Sequence, residues 1–306
     1  MLKKFEKHDM LILAVIAVGF LIFGLSTTLS KITDFIIFCI FVLGFDLYYG
    51  HMGRLSFGHM LYLGAGAYGA GLSAKYLSPD PFMAIAFGLL GGALVGAILG
   101  PLLIRTSGAC FALLNLAFNE VGYFLVLVPL AGITGGEDGI SLNFSSYGFV
   151  NFSNLKFLFP FSLSVLLLVA FLMLKFVHSS YGILLKAIKE NEVRVQFLGY
   201  NTYIFKWITF VFSTAISGLA GALTVINYGY ANPSFIDPTR NVEVIFAALM
   251  GGAGNVFGAV LGGTAFMTIS NYLARYIIRW EMFLGIVLLI IAFRFRKGIW
   301  GYLREI

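Results

Sequence analysis

The chain consists of long apolar runs separated by short polar segments. About 20 apolar residues in a helix cross the hydrocarbon core of a bilayer, and most of the runs have this length. The pattern predicts an all-α, polytopic integral membrane protein with about 8–10 transmembrane helices. The first run is too long for a typical signal peptide, so we expect an uncleaved helix. The runs cover residues 10–30, 32–50, 55–77, 82–104, 109–130, 157–177, 206–226, 244–274 and 282–293.

Glycines interrupt the apolar pattern near the end of the chain. The run 244–274 has no charged residue but contains Gly251, Gly252 and Gly254. Glycine weakens a helix interior, so we expect a break there, with either three crossings between residues 241 and 294 or a re-entrant segment. The segments 53–58 and 252–258 are similar and each precedes a glycine-rich run, which indicates a two-fold internal repeat. Glycines of this kind either pack helices closely or line a transport pathway.

Composition supports the membrane interpretation. The residues are 59% hydrophobic and 11% charged, and the mean hydropathy is +0.93. A soluble domain is about 45–50% apolar and about 25% charged. This composition excludes a soluble enzyme, a secreted disulfide scaffold, a nucleic-acid-binding module and a disordered chain.

The distribution of basic residues predicts the orientation in the membrane. Of the 20 Lys and Arg residues, three lie in the segment 1–9, four in 178–206 and four in 294–306. Basic residues collect in cytoplasmic loops. We therefore expect one transmembrane domain, 1–306, with both termini, the loop 178–203 and the tail 294–306 in the cytoplasm. The loops 131–156 and 227–241 are predicted to lie outside.

No constellation of residues indicates catalysis or metal binding. Cys39 and Cys110 lie in separate apolar runs, and the four His residues show no ligand spacing. The chain also lacks a phosphate-binding Gly-Lys-Ser/Thr loop and a Gly-x-Ser-x-Gly elbow. We expect no metal, no cofactor and no enzymatic activity in this chain.

Polar residues inside the run 109–130 are candidates for a pathway. Asn115 and Asn119 are four residues apart and share a helix face, and Glu120 follows directly. An ionisable group within a membrane span is a functional hypothesis by default. A hydrogen-bonded network between helices explains the same residues, and both interpretations stay open here.

The loop 178–203 contains an amphipathic pattern. Residues 181–192 form a predicted short helix with an apolar stripe, and residues 192–198 form a second one that ends at Gly199. Asn201 or Thr202 is expected to cap the next membrane helix. The stripe suits insertion into a groove on a cytoplasmic partner, or else contact with the bilayer surface. It consists of Tyr181, Leu184, Leu185 and Ile188.

Several motifs together resemble those of the branched-chain amino-acid ABC transporter permeases. The segments 180–192, 198–201 and 212–223 carry the resemblance most clearly. The segments 53–59, 64–68, 116–120 and 249–254 agree with it. The Thr-Gly-Gly-x-x-Gly loop that begins at Thr134 is similar to the M-type of the family's two related permeases. The resemblance extends over residues 34–298.

The resemblance implies a subunit of an ATP-driven importer. The chain would form one half of a permease heterodimer in the cytoplasmic (inner) membrane of a prokaryote. Two cytoplasmic subunits would bind ATP and Mg²⁺, and an extracytoplasmic binding protein would deliver the substrate. The substrate pathway would involve Asn115, Asn119, Glu120, Thr134, Gly251, Gly252 and Gly254. The coupling helix would contact the ATPases through Tyr181, Gly182, Ala187, Lys189, Glu190 and Asn191, with Gly199 ending the segment.

Two alternatives remain open at this stage. A permease for urea or short amides uses the same scaffold. An ion-coupled secondary transporter would need an intramembrane charge relay, for which Glu120 is the candidate.

Overall fold

The structure is a computed structural model that describes residues 7–26, 28–144, 152, 154–276, 282, 285–286 and 298–303. Most of the predicted run 282–293 and of the tail 294–306 lies outside these residues, as does part of the loop 131–156. The described helices are α1 (Lys7–Ser26), α2 (Leu29–Met52), α3 (Met60–Tyr76), α4 (Pro81–Leu103), α5 (Gly108–Leu127), α6 (Ala131–Thr134), α7 (Leu155–His178), α8 (Ser180–Phe197), α9 (Thr202–Tyr228), α10 (Asn241–Gly251), α11 (Val256–Tyr276) and α12 (Gly298–Leu303). Two short strands, β1 (Ile140–Ser141) and β2 (Tyr230–Ala231), pair antiparallel.

The described helices confirm the predicted class of a polytopic, all-α membrane protein. Within the described ranges, α2, α4, α5, α7, α9 and α11 are long and apolar enough to cross a membrane, and α1 contains a shorter apolar stretch, Asp9–Gly24. The predicted first run 10–30 extends too far, because α1 ends at Ser26 and α2 already begins at Leu29. A capping hydrogen bond marks the start of α4, where the Asp80 carboxylate accepts from the Phe82 amide at 2.9 Å.

The centre of the bundle is formed by α2 and α9, and α3 and α4 pack closely on α9. At this junction, α3, α4 and α9 meet through glycines: a Cβ atom on Gly66 or on Gly92 would collide with Gly218 of α9. Close backbone approach of this kind is a common way to hold helices together in lipid. The small-residue rows on α3 and α4 therefore pack helices.

The predicted break near Gly251 is present. The helix α10 has 11 residues, which is about 16 Å and half of the ~30 Å hydrocarbon core. Gly252 and Gly254 then adopt positive φ angles of 102° and 87°, and α11 begins at Val256. Glycine tolerates such angles because it has no Cβ atom. The long apolar run is thus a half-length helix followed by a full-length one.

Two helices begin side by side inside the bundle. The amide of Met60, the first residue of α3, donates to Oδ1 of Asn241, the first residue of α10, at 2.9 Å. The chain reaches Met60 along the non-helical segment 53–59 and reaches Asn241 along residues 229–240. Discontinuous helices with buried N-termini are typical of transporter sites.

The two ends of the bundle carry different connections. At one end, which we call the Lys189 end, Lys189 of α8 contacts Gly50 near the end of α2, and Gly298 of α12 lies against Gly252. At the other, the Asp34 end, Asp34 near the start of α2 bonds Asn227, and β1 pairs with β2. Residues of the loop 178–203 and of the tail thus lie at one end, and described residues of the loops 131–156 and 227–241 lie at the other, while their orientation in the membrane stays a prediction.

Candidate functional site

The loop between α7 and α9 is folded as two helical pieces, as predicted. Asn191 interrupts α8 with φ −159° and ψ 97°, and its side-chain oxygen accepts from the Arg194 amide at 3.0 Å, so it caps the second piece. Gly199 ends that piece with φ +87°. Asn201 occupies the predicted N-cap position of the next helix, but its side chain makes no capping bond, and the Thr202 hydroxyl donates to Glu192.

The apolar stripe of α8 packs against the protein's own bundle. Leu185 and Ile188 are buried, and the Tyr181 ring lies 4.8 Å from the Phe176 ring of α7. The Tyr181 hydroxyl donates to the Phe205 carbonyl of α9 at 3.0 Å. The prediction that this stripe inserts into a partner groove is therefore wrong, because membrane helices already cover it.

A different face of α8 is exposed. Phe197 is 87% exposed, an unusual position for a large apolar residue. Ile183, Val193 and Leu198 are also exposed apolar residues of this segment. They stand among exposed polar residues, namely Lys186, Glu190, Asn191, Arg194 and Gln196.

The residues predicted to contact the ATPases divide into two groups. Glu190 and Asn191 are exposed and Ala187 is half-buried. Gly182 is buried, and a Cβ atom there would collide with the Val177 backbone, so the close approach that this glycine allows is to α7. The Lys189 ammonium donates to the Gly50 carbonyl at 2.6 Å, where a positive charge also complements the C-terminal end of the α2 dipole.

Glu192 is the residue of this loop that sequence reasoning missed. Its carboxylate accepts from the Thr202 hydroxyl at 3.0 Å, from the Lys206 ammonium, and from Nη2 of Arg54 at 3.2 Å. Both cations are largely buried, with exposed side-chain fractions of 11% for Arg54 and 8% for Lys206. Burial alone raises the pKa of Glu192, but the hydrogen bonds and charges of these partners outweigh it and hold the pKa below its ordinary value.

Arg54 extends this contact to a third part of the chain. Its Nη1 atom donates to the carbonyls of Ile104 at 3.2 Å and Thr106 at 2.5 Å, in the connection between α4 and α5. The Glu192 hub, defined here as Glu192, Arg54, Thr202 and Lys206, thus joins α8 to the start of α9, to the segment 53–59 and to the α4–α5 connection.

The asparagines of α5 belong to a buried polar network in the middle of the bundle. Oδ1 of Asn115 accepts from the Tyr62 hydroxyl at 3.0 Å. Asn119 donates to the Ile236 carbonyl and accepts from the Asn241 amide, both at 2.7 Å. Asn241 in turn accepts from Met60. The structure thus places both asparagines in a satisfied network at the starts of α3 and α10.

The segment 53–59 connects the Glu192 hub to this network. Gly53 lies against the Lys189 side chain, since a Cβ atom there would be 3.0 Å from its Cγ atom. A Cβ atom on Gly58 would collide with the Asn115 backbone, and the next helix then starts at Met60. This short segment therefore runs from the Lys189 end of the bundle to its interior.

The other pathway candidates lie apart from the network. Glu120 is exposed on α5 and makes no ion pair or side-chain hydrogen bond within the part of the chain that the structure describes. Thr134 is buried and donates to the Val126 and Leu130 carbonyls at 2.7 and 2.9 Å, which fixes the turn around α6. Neither residue contacts the asparagine network.

The glycines near residue 252 form a tight junction at the Lys189 end. The Gly254 amide donates to the buried carboxylate of Asp46 at 2.9 Å, and Gly254 packs against Gly50. A Cβ atom on Gly251 would collide with the Gly258 carbonyl. These contacts hold Gly251, Gly252 and Gly254 in close packing at the α10–α11 break, beside the place where Lys189 binds α2.

Comparison with known proteins decides the family. The family model described as the branched-chain amino acid transport system / permease component matches residues 27–293. The chain belongs to this family. The permease is a multi-pass membrane protein of the transport class, in agreement with its apolar helices.

Individual relatives support the same assignment. The permease is 26% identical to the high-affinity branched-chain amino acid transport system permease protein LivM of Escherichia coli (strain K12), over 94% of its own length and 74% of that protein. It is 24% identical to LivH of Salmonella typhimurium, over 74% of this chain and 78% of that protein. It is also 28% identical to the D-allose transport system permease protein AlsC of Escherichia coli, over 63% of this chain and 59% of that protein.

The match to LivM covers more of the permease than the match to LivH, in line with the M-type motif at Thr134. No solved structure matches the permease.

Proposed function

We propose that the permease is one half of the membrane-spanning part of an ATP-driven importer that moves branched-chain amino acids into a prokaryotic cell. The observation that carries this proposal is the family match over residues 27–293, together with the similarity to LivM along most of the chain. A second permease related to LivH completes the pathway, and two cytoplasmic subunits bind ATP and Mg²⁺. An extracytoplasmic binding protein docks on the loops at the Asp34 end.

The exposed face of α8 is the proposed ATPase contact. Its apolar stripe already anchors the helix, so the surface left for a partner includes Ile183, Glu190, Val193 and Phe197. An exposed aromatic residue surrounded by polar groups is a common anchor in protein interfaces.

The Glu192 hub is the proposed transmission element. A displacement of α8 by the ATPases pulls on Arg54 through Glu192, and on the end of α2 through Lys189. Arg54 belongs to the segment 53–59, which leads to the paired starts of α3 and α10. Motion at the Lys189 end thereby shifts the population between two packings of the interior, as alternating access requires.

The exposed face of α5 is proposed to meet the second permease or the water-filled pathway between the two. A carboxylate that faces lipid is costly, and Glu120 is exposed on this helix. Coverage by a partner subunit or by water removes that cost. In this arrangement Glu120 borders the pathway.

Co-purification tests this proposal. The tagged chain is solubilised from its native membrane, and its bound subunits are identified by mass spectrometry. The proposal predicts a second permease and two ATP-binding subunits, and it predicts leucine uptake when this complex is reconstituted with its binding protein and ATP. An isolated chain or a homo-oligomer would instead favour an ion-coupled transporter, and uptake of urea or short amides without leucine would favour the other branch of the family.

A further inference from the structure

A cavity of about 240 Å³ lies at the Asp34 end of the bundle. It is bordered by α2, by the start of α3, by the end of α9, by α11 and by the loop that leads into α10. The exposed residues Tyr228, Tyr230 and Ser234 are at its edge, so it opens to the surface. A cavity of this size suits a small metabolite.

Most of the wall is apolar. Such a surface favours an aliphatic or aromatic group over water. The apolar lining consists of Ile37, Phe38, Phe41, Met60, Leu63, Phe235 and Met267.

Oppositely charged residues from separate helices border the cavity. Asp34 projects from α2, whereas Arg240 precedes the first residue of α10 and Glu243 lies in its first turn. The Asp34 carboxylate accepts from the side-chain amide of Asn227. A carboxylate has about four acceptor positions, so Asp34 retains capacity for a cation.

Arg240 retains donors for an anion. Nε and Nη2 contact the Glu243 carboxylate at 3.2 and 3.4 Å, while Nη1 makes only a 3.4 Å contact with the Ser234 carbonyl. Guanidinium has five N–H donors and binds carboxylates well. The starts of α3 and α10 lie at the same cavity, and their dipoles also favour negative charge.

We propose that this cavity binds a free, zwitterionic amino acid with an apolar side chain, its ammonium group on Asp34, its carboxylate on Arg240, and its side chain against the apolar wall. The inference rests on the proposed function and adds to it a site within the membrane subunit itself. The substrate released by a binding protein would then be held at the Asp34 end before the interior opens.

Equilibrium binding tests each charge of the ligand separately. The full chain, purified with the membrane partners that remain attached, is placed in nanodiscs without binding protein and titrated with radiolabelled L-leucine. Leucinol, which lacks the carboxylate, and 4-methylpentanoate, which lacks the ammonium group, serve as competitors. Leucine should bind at least ~10-fold more tightly than either, because each lost charge-assisted contact costs about that factor.

Two variants should separate the two contacts. Asp34→Asn should weaken leucine at least ~10-fold and leave 4-methylpentanoate unchanged. Arg240→Gln should weaken leucine by a similar factor and leave leucinol unchanged. Matched controls are Asp138→Asn and Arg275→Gln, because both residues are exposed and lie outside the cavity. A residue with a merely structural role would not produce this dependence on ligand charge.

The outcomes distinguish this inference from the proposed function. If the reconstituted importer takes up leucine but neither variant changes leucine binding, the cavity is not the site and the proposed function stands. If leucinol competes as well as leucine, the role of Arg240 is overturned. If leucine binds with the expected charge dependence but is not transported, the site stands and the proposed function fails. Should a charge variant not fold, Met267→Trp fills the cavity instead and should abolish binding; unchanged binding would overturn the inference.

Discussion

The two ends of the bundle use their charges differently. At the Lys189 end, the charged groups of α8 already have partners: Glu192 forms ion pairs with Arg54 and Lys206, and Lys189 donates a hydrogen bond to the Gly50 carbonyl. At the Asp34 end, Asp34 and Arg240 border an open cavity and retain free hydrogen-bonding capacity. The first arrangement suits a joint that transmits force, and the second suits a place where a small charged molecule binds. The segment 53–59 and the paired starts of α3 and α10 lie between them.

The largest effect is expected when the central carboxylate of the Glu192 hub is removed. Glu192→Gln leaves Arg54 and Lys206 largely buried without their carboxylate, and it should cost about 2–3 kcal/mol in the free energy that holds α8 to the bundle. In the reconstituted importer, leucine uptake per ATP hydrolysed should fall at least ~10-fold.

The matched control for this variant is Asp9→Asn, because Asp9 is a carboxylate in the first turn of α1 and is no part of the hub. Its uptake per ATP should equal that of the wild type. Unchanged coupling in Glu192→Gln would show that α8 does not act through the hub.

A second change breaks the connection between the two ends. Asn241→Leu removes the acceptor for the Met60 amide and the donor for Asn119. Each buried group left unpaired costs ~1–3 kcal/mol, so the thermal unfolding temperature in detergent should fall clearly. Asn201→Ala, at an exposed position with no side-chain capping bond, should leave it unchanged. Equal melting of the two variants would contradict the network.

A smaller effect is expected on the exposed face of α8. Phe197→Ala should weaken binding of the ATPase subunits by about 5–10-fold without lowering the melting temperature of the chain, because the ring is exposed and supports no core packing. Quantitative co-purification measures this. Leu168→Ala removes a similarly exposed apolar residue from α7 and should have no effect on ATPase binding.

The smallest effect concerns pH. The partners of Glu192 hold its pKa below the ordinary value of 4.5, so the stability that its carboxylate contributes is present above pH 4.5 and is lost as the pH falls through the lowered pKa. Hydrogen exchange in α8, corrected for intrinsic rates, should be constant from pH 7 to about 5 and should increase only in stronger acid. In Glu192→Gln this acid-dependent increase should be absent; its persistence would assign it to another group.

Most of the helices were predictable because most of the apolar runs are long enough to cross a bilayer by themselves. The break at Gly251–Gly254 was predictable because glycine stands inside an uncharged run, and α10 ends there. The Glu192–Arg54 contact joins residues 138 positions apart, and no local pattern marks such a pair.

The face of α8 was misinterpreted for a related reason. An apolar stripe shows that a helix is covered, but it does not show by what. Here the membrane helices cover Leu185 and Ile188. Likewise, Asp34 and Arg240 are distant in sequence, and only folding brings them to one cavity.

The most direct test of the account is leucine uptake into proteoliposomes that contain the purified complex and its binding protein. ATP is supplied on the side of the ATPases, and a protonophore collapses the proton gradient in a parallel sample. The account predicts uptake that requires ATP and persists with the protonophore. Uptake that proceeds without ATP and stops with the protonophore would contradict it and would make Glu120 the first residue to examine.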